Sequence, residues 1–410
     1  MFVANRRAVR SSYPVELKEI LSVEKAEESR RWISAWDGIA EGATPLYSLP
    51  GIARRLGVAE VLVKDESVRS ELGSFKALGA PIALVRLILR LFPDAGMDPV
   101  SMFKGAYKDR LRDFTVISAT DGNHGKGLAA AARSIGCKCV IVLHANVSVE
   151  REEAIAAYGA EIVRITGNYD ESVEEAARLA KVNGWQVVSD TSYEGYEAIP
   201  RDVMQGYGTV AAEIVEAYGG KGDGKSPFTH VFLQGGVGGL AAGILSYLWE
   251  VFGENRPTVV VVEPKQADCL YQSAITGEAA KATGSVDSVM AGLACGETSP
   301  LAWRFLVKGA DYFMTISDDD AVAAMKVLAS GDVKDIPVIS GESGAAGLAG
   351  LEVLDANADA WKAVGLNSNS CVLLISTEGA TAPQVYKDLV GESAEDILKR
   401  QRAWPNPKAA

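Results

Sequence analysis

Three things are scarce in this sequence, and each scarcity excludes a class of protein. Cysteine is the first: the 410 residues include five, Cys137, Cys139, Cys269, Cys295 and Cys371. None forms a CxxC pair, and Cys137 and Cys139 stand one residue apart, too close for a standard zinc clip. An odd count in so long a chain predicts reduced thiols in an intracellular, cytoplasmic setting, not a disulfide scaffold. Long apolar runs are also missing. The longest are broken by glycine or charge, and the opening MFVANRRAVRSSYP has no apolar core of the kind a signal peptide carries, so no membrane partner is expected. Positive charge is the third. Lys plus Arg total 41 against 53 Asp plus Glu, a net charge of −12, which argues against nucleic acid and anionic lipid. Internal repeats and low-complexity tracts are absent too.

What is present is a rhythm. Short β-branched runs lie at 61–63, 115–118, 140–143, 161–165, 186–189, 230–233, 259–262 and 372–376, bounded by Gly, Asp, Pro or Asn. Alanine-rich helical stretches at 128–134, 150–158, 172–182 and 211–218 fall between them. Continuous apolar strands alternating with helices predict an α/β fold built on parallel sheets covered on both faces. The polar, Pro-containing segment 92–113 interrupts the rhythm, 219–227 (GGKGDGKSP) reads as a surface loop, and the tail after Arg400 as loosely held.

Five stretches join such a strand to a turn that could hold a ligand. In KDESVRSELGSFKA (64–77) a strand enters a charged turn and then an apolar helix carrying Lys76 in its first turn. A lysine there either snorkels to water or projects into a cleft. The positive end of the helix dipole would lower its pKa, which suits an amine that must act as a nucleophile. In SATDGNHGKG (118–127) the turn Asp121-Gly122-Asn123-His124-Gly125 stands at the carboxyl end of a strand, where open α/β sheets bind ligands. Helix capping explains Asp121, Gly122 and Asn123 singly but not the whole string. In THVFLQGGVGG (229–239) the run Gly235-Gly236-Val237-Gly238-Gly239 opens a helix as a cup of amides without side chains. The same residues fit the GxGxxA dinucleotide fingerprint, with Glu263 placed as a ribose-binding acid, so a nicotinamide or flavin oxidoreductase is a competing reading. CVLLISTEGAT (371–381) ends a buried strand in the hydroxyls of Ser376 and Thr377. PVISGESGAAGLAG (337–350) reads as one more strand, glycine turn and helix.

Taken in order, SFKALGA, TDGNHGKG, QGGVGG and STEGAT resemble the pyridoxal-phosphate enzymes of fold type II, the tryptophan-synthase-β group. The strings DTSYEGY, MQGYGT, MAGLACGE and ISGESGAAGL make the chain similar to the diaminopropionate ammonia-lyases within it. The resemblance spans about 44–383. It implies pyridoxal 5'-phosphate as cofactor, a large cofactor-binding domain from 1–85 and 200–410, a small inserted domain from 86–199, and a homodimer. It implies that Lys76 bonds the cofactor aldehyde, Asn123 meets its phenolic oxygen, Gly235, Gly236, Val237, Gly238 and Gly239 hold its phosphate, and Ser376 or Thr377 faces its pyridine nitrogen. Thr120, Gly122 and Asn123 would hold the substrate carboxylate. Asp121 is the informative residue, because ordinary dehydratases of this fold have a small neutral residue there. An acid beside a bound carboxylate is unfavourable unless it also binds a second ammonium, or takes the Cα proton on the face opposite Lys76, which would admit the D isomer. Asp190 is expected nearby, either as a second site acid or as a strand-end turn acid, and Tyr169 is a further candidate. The implied reaction is α,β-elimination of 2,3-diaminopropionate, a small amino acid, to pyruvate and two ammonia. The alternatives are a serine or threonine dehydratase, or a lyase for another β-substituted amino acid. Cys269 and Cys295 lie in shared strings and either pair or remain inert thiols.

Overall fold

The computed structural model describes residues 1–120, 122–145, 147–167, 169–219, 224–331 and 335–405, with residue 170 described by its backbone alone. Asp121 therefore lies outside the described residues, as do 220–223 of the expected surface loop and 406–410 of the tail.

Two sheets organise the chain. The strands are β1 (Phe2–Ala4), β2 (Leu46–Ser48), β3 (Glu60–Asp65), β4 (Thr115–Ala119), β5 (Lys138–Leu143), β6 (Glu161–Arg164), β7 (Gln186–Val187), β8 (His230–Gln234), β9 (Thr258–Pro264), β10 (Tyr312–Ile316) and β11 (Cys371–Ser376). Seven of them form a sheet in the order β1-β10-β9-β8-β11-β3-β2, and four form a second in the order β6-β5-β4-β7. The inner pairings of the larger sheet and all pairings of the smaller are parallel; only the edge strands β1 and β2 run antiparallel. This is the α/β architecture the apolar runs predict, and all eight expected strands are present.

The period of two along each strand decides which core a side chain joins. Val259 and Val261 of β9, Val231 and Leu233 of β8, and Leu373 and Ile375 of β11 pack into one apolar cluster. Their neighbours Val260, Val262, Phe232, Val372 and Leu374 pack into another on the opposite face. Val116 of β4 and Ile141 of β5 share the first cluster, while Ile117, Val140 and Val142 face a third. One continuous core therefore joins the two sheets. Among the described residues, no helix is long and apolar enough to cross a membrane.

The structure corrects the sequence reading in two places. Residues 337–340 form no strand: β11 already has β8 and β3 on its two sides, and Pro337 has no N–H to offer a ladder. The helix after β4 runs Asn123–Ile135, beginning three residues before the expected Lys126. The charges around the turn after β3 are buried. Lys64 Nζ donates to Glu213 Oε2 (2.5 Å) and to the Thr44 carbonyl (2.6 Å), while Arg69 bridges Glu66 and Glu213 through bonds of 2.7 to 2.8 Å. All four charged side chains are almost fully buried, and two cations against two carboxylates leave the cluster neutral. Buried charge is tolerated on those terms alone.

Candidate active site

Lys76 sits not in the first turn of an α-helix but on a short 3-10 turn, Phe75–Leu78, ahead of the helix Gly79–Leu91. The segment is laced to the chain leaving β11: Phe75 N donates to the Thr377 carbonyl (3.0 Å), Gly379 N to the Gly73 carbonyl (2.9 Å), and Ser74 and Glu378 form a bridge. From the other side it presses on the helix Ala198–Ala217, where a Cβ on Gly206 would lie 2.2 Å from the Leu78 oxygen. Only glycine permits that approach.

The lysine amine is ion-paired to Asp190. It also lies 5.4 Å from the centroid of the Phe75 ring and 5.9 Å from that of Tyr207. Asp190 Oδ2 is 3.7 Å from Nδ1 of His124, whose Nε2 meets the Val188 carbonyl at 2.9 Å. The electrostatics reverse the expectation for Lys76. Burial alone would lower its pKa, but the Asp190 carboxylate and the Tyr207 phenol hold it above the ordinary lysine value. Burial likewise opposes the charge on Asp190, yet Lys76 and His124 keep that carboxyl well below the usual range. Burial lowers the pKa of His124. A partner 114 residues away in sequence outweighs the local dipole.

The glycine run after β8 has the geometry of an anion cup. Gly238 adopts φ +98°, a left-handed conformation that favours glycine, and caps the helix Gly239–Phe252. Gly235 N donates to Val262 and Gly238 N to Gly235. Among the described residues, the amides of Gly236, Val237 and Gly239 donate to nothing at the mouth of that helix. The Cβ position of Gly239 is 4.0 Å from the Asp190 carbonyl oxygen, so cup and ion pair are neighbours. Glu263 is not available to bind a ribose: its oxygens accept from Leu270 N (2.9 Å) and Tyr271 N (2.7 Å), and its Cγ fills the space a Cβ on Gly235 would need. The dinucleotide reading fails on that contact.

Burial pushes the Glu263 carboxyl up to about 8, against the pull of the Leu270 and Tyr271 amides. At neutral pH it is protonated, so the cup faces no second negative charge. Burial likewise pushes Asp65 up to about 6, and Glu342, beside Glu378, up to about 7. Between the ordinary glutamate value of 4.5 and about 8, native Glu263 holds a proton that the unfolded chain releases. Stability therefore falls as pH rises through that window, by up to ~1.4 kcal/mol per pH unit. Glu263→Gln is expected to flatten the melting-temperature profile between pH 7 and 8, above the range of the other two acids. An unchanged slope in that variant contradicts the assignment.

The remaining expected residues divide into two groups. Asn123 opens the helix after β4 and donates through Nδ2 to Glu378 Oε2 at 2.5 Å. Thr120 is buried, with its hydroxyl accepting from Gly122 N at 3.3 Å. Ser376 Oγ donates to Ser340 Oγ at 2.8 Å, and Thr377 is buried beside it. Tyr169 stands apart. It is 38% exposed at the start of the helix Tyr169–Asn183, with its ring against His144 just beyond β5, outside the Lys76–Asp190 cluster. Two amides of the 341–344 turn, expected to face the cleft, are instead taken by Glu378: Gly341 N donates to its carbonyl and Ser343 N to Oε1. Cys269 and Cys295 form no disulfide, and Cys269 Sγ donates to the Gly236 carbonyl. Sequence reasoning missed His124, Tyr207 and Glu378. His124 and Glu378 lie inside motifs that were read, whereas Tyr207 gave no signal beyond its place in MQGYGT.

These residues fit a phosphorylated aldehyde. An amine is held beside a carboxylate, unpaired amides point from a helix mouth, and hydroxyls line a strand end. Among the described residues, Ser74 Oγ, Tyr207 O–H and His124 Nδ1, all buried, have no hydrogen-bond partner. Residues 39–374 match the family described as pyridoxal-phosphate dependent enzyme, and fold and site together define an enzyme of fold type II whose cofactor is pyridoxal 5'-phosphate. Diaminopropionate ammonia-lyase of Salmonella typhimurium is 40% identical over 364 residues, covering 86% of this chain and 89% of the relative. The crystal structure of holo diaminopropionate ammonia lyase from Escherichia coli superposes with a TM-score of 0.85 at 36% identity, covering 95% of this chain and 96% of that one. The structure of the same enzyme in complex with D-serine gives 0.85 at 35% identity, covering 97% and 98%. The chain belongs to the diaminopropionate ammonia-lyase family of pyridoxal-phosphate dependent enzymes.

Proposed function

We propose that this enzyme converts 2,3-diaminopropionate and water to pyruvate and two ammonia, in both the L and D forms. The observation that carries the reading is the buried Lys76–Asp190 pair beside a cup of unpaired amides, in a chain 40% identical to diaminopropionate ammonia-lyase over nearly its whole length. The cofactor, when bound, supplies the electron sink that stabilises negative charge at Cα. The protein supplies the rest. The run 235–239 holds the phosphate through the amides of Gly236, Val237 and Gly239, Asn123 holds the phenolic oxygen, and the hydroxyl of Ser376 or Thr377 faces the pyridine nitrogen without protonating it. A weaker electron sink favours prompt loss of a β leaving group. Thr120, Gly122 and Asn123 bind the substrate carboxylate, and Tyr169 is a further candidate for substrate contact. Lys76 Nζ takes the Cα proton of the L isomer and Asp121 that of the D isomer from the opposite face. Asp190 sets the protonation of Lys76 and attracts the substrate's second ammonium, which leaves as ammonia once its positive charge makes it a good leaving group.

The same reading divides the chain into a large domain, 1–85 and 200–410, and a small one, 86–199. In its support, every strand of the four-stranded sheet falls within the second range and every strand of the seven-stranded sheet within the first. A cytoplasmic homodimer completes it, in keeping with five cysteines held outside any disulfide.

Pyruvate release measured across D- and L-diaminopropionate, serine and threonine tests the substrate. Diaminopropionate should be preferred in kcat/KM, and a preference for serine or threonine makes the enzyme a dehydratase instead. Asp121→Asn is expected to lower D-isomer turnover at least about 10-fold more than L-isomer turnover, within the ~10²–10⁴-fold range of a lost general base. Equal losses would leave Asp121 a binding residue only.

A further inference from the structure

We propose that Glu378 is a positioning residue that fixes the amide of Asn123 toward the cofactor's phenolic oxygen and fastens the turn after β4 to the larger sheet. The inference rests on the assignment of Asn123 made above.

Glu378 stands where four segments meet. It follows β11, bridges Ser74 two residues before the site lysine, and accepts at its carbonyl from Gly341 N (2.9 Å). Its carboxylate takes Ser343 N at Oε1 (3.2 Å) and Asn123 Nδ2 at Oε2 (2.5 Å). Asn123 belongs to the helix after β4 of the four-stranded sheet. The contact is therefore a side-chain bond from one sheet's loop to the other's.

The chemistry gives that bond a direction. An ionised carboxylate only accepts, whereas an asparagine amide carries two N–H donors on one end and an acceptor on the other. Facing Glu378, only the N–H₂ end can be inward, so the two-fold choice of amide orientation is removed. One N–H is spent on Glu378, and the second is left to donate to an anionic oxygen. Two ionisable groups, Lys126 and Glu342, flank Glu378. Lys126, whose pKa burial lowers, feels its charge from the next turn of the Asn123 helix. Glu342, the like-charged neighbour, is pushed up to about 7 by burial and by Glu378.

Titrating the apoprotein with pyridoxal phosphate, and recording the visible band of the loaded protein, tests this. Asn123→Ala and Glu378→Ala are each expected to weaken cofactor binding about 10- to 100-fold, the range for one charge-assisted hydrogen bond, and to move the visible band in the same direction. The double variant should bind no more weakly than either single one, because both remove the same contact. Glu378→Gln has one acceptor oxygen for two donors and should give a smaller loss; it carries the test if Glu378→Ala does not fold. Additive losses, or Glu378 variants with the wild-type affinity and band while Asn123→Ala differs, overturn the positioning role alone. Wild-type affinity and band in Asn123→Ala overturn the Asn123 assignment and this inference with it.

Discussion

Lys76→Ala is expected to abolish pyruvate formation and to remove the visible absorption of bound cofactor from the purified protein. The loss should exceed the ~10²–10⁴-fold that follows from deleting a general base, because in the proposed mechanism the same amine both bonds the cofactor and moves the Cα proton. Its surroundings single it out. It is the amine paired with Asp190, under the rings of Phe75 and Tyr207. Lys64, the other buried lysine near β3, is consumed by Glu213 and the Thr44 carbonyl. Removing Lys76 leaves Asp190 buried without its paired cation, so its carboxyl pKa should rise and part of the apoprotein's stability above the ordinary aspartate range should be lost. Circular dichroism at neutral pH separates that cost from the loss of chemistry. A variant that is folded and still carries the visible band would place the bonded lysine elsewhere.

Asp190→Asn is the second large effect: kcat/KM for diaminopropionate should fall ~10²–10⁴-fold, with a diagnostic change in pH dependence. In the wild type, burial lowers the pKa of Lys76 and Asp190 raises it past the ordinary value. A neutral amide removes the largest of the influences that raise it, so the Lys76 pKa should drop. Loading of the apoprotein with pyridoxal phosphate needs the neutral amine, so the midpoint of its rate against pH should move to lower pH in the variant. The stability consequence has the same origin. The raised Lys76 pKa contributes stability below its unfolded value, lost as pH rises through the folded one. The depressed Asp190 pKa contributes stability above its unfolded value, lost as pH falls through the folded one. The variant should therefore lose stability most across the neutral range between them. A loading profile that does not move contradicts the electrostatic role of Asp190 even if activity falls.

Much of the fold could be read along the chain because parallel strands buried on both faces leave continuous apolar runs, as VVVV does in β9. The edge strands β1 and β2, three residues each, are too short to show a period, and β10 hides behind the apolar helix Pro300–Gly309 that precedes it. The site lysine and the amide cup were legible because each interrupts such a pattern with residues a core does not want. Their electrostatics were not. The pKa of Lys76 is set by Asp190 and the buried Lys64–Glu213 pair by a helix 149 residues on, and no local window contains both partners. Glu263 shows the converse: its spacing from the glycine run matches a ribose acid, yet its carboxyl caps the helix Cys269–Thr276.

The most direct measurement is borohydride reduction of the holoenzyme followed by peptide mass mapping. One phosphopyridoxyl adduct is expected, on the peptide carrying Lys76. An adduct on any other lysine, or none at all, would contradict the assignment of the cofactor-bonding amine.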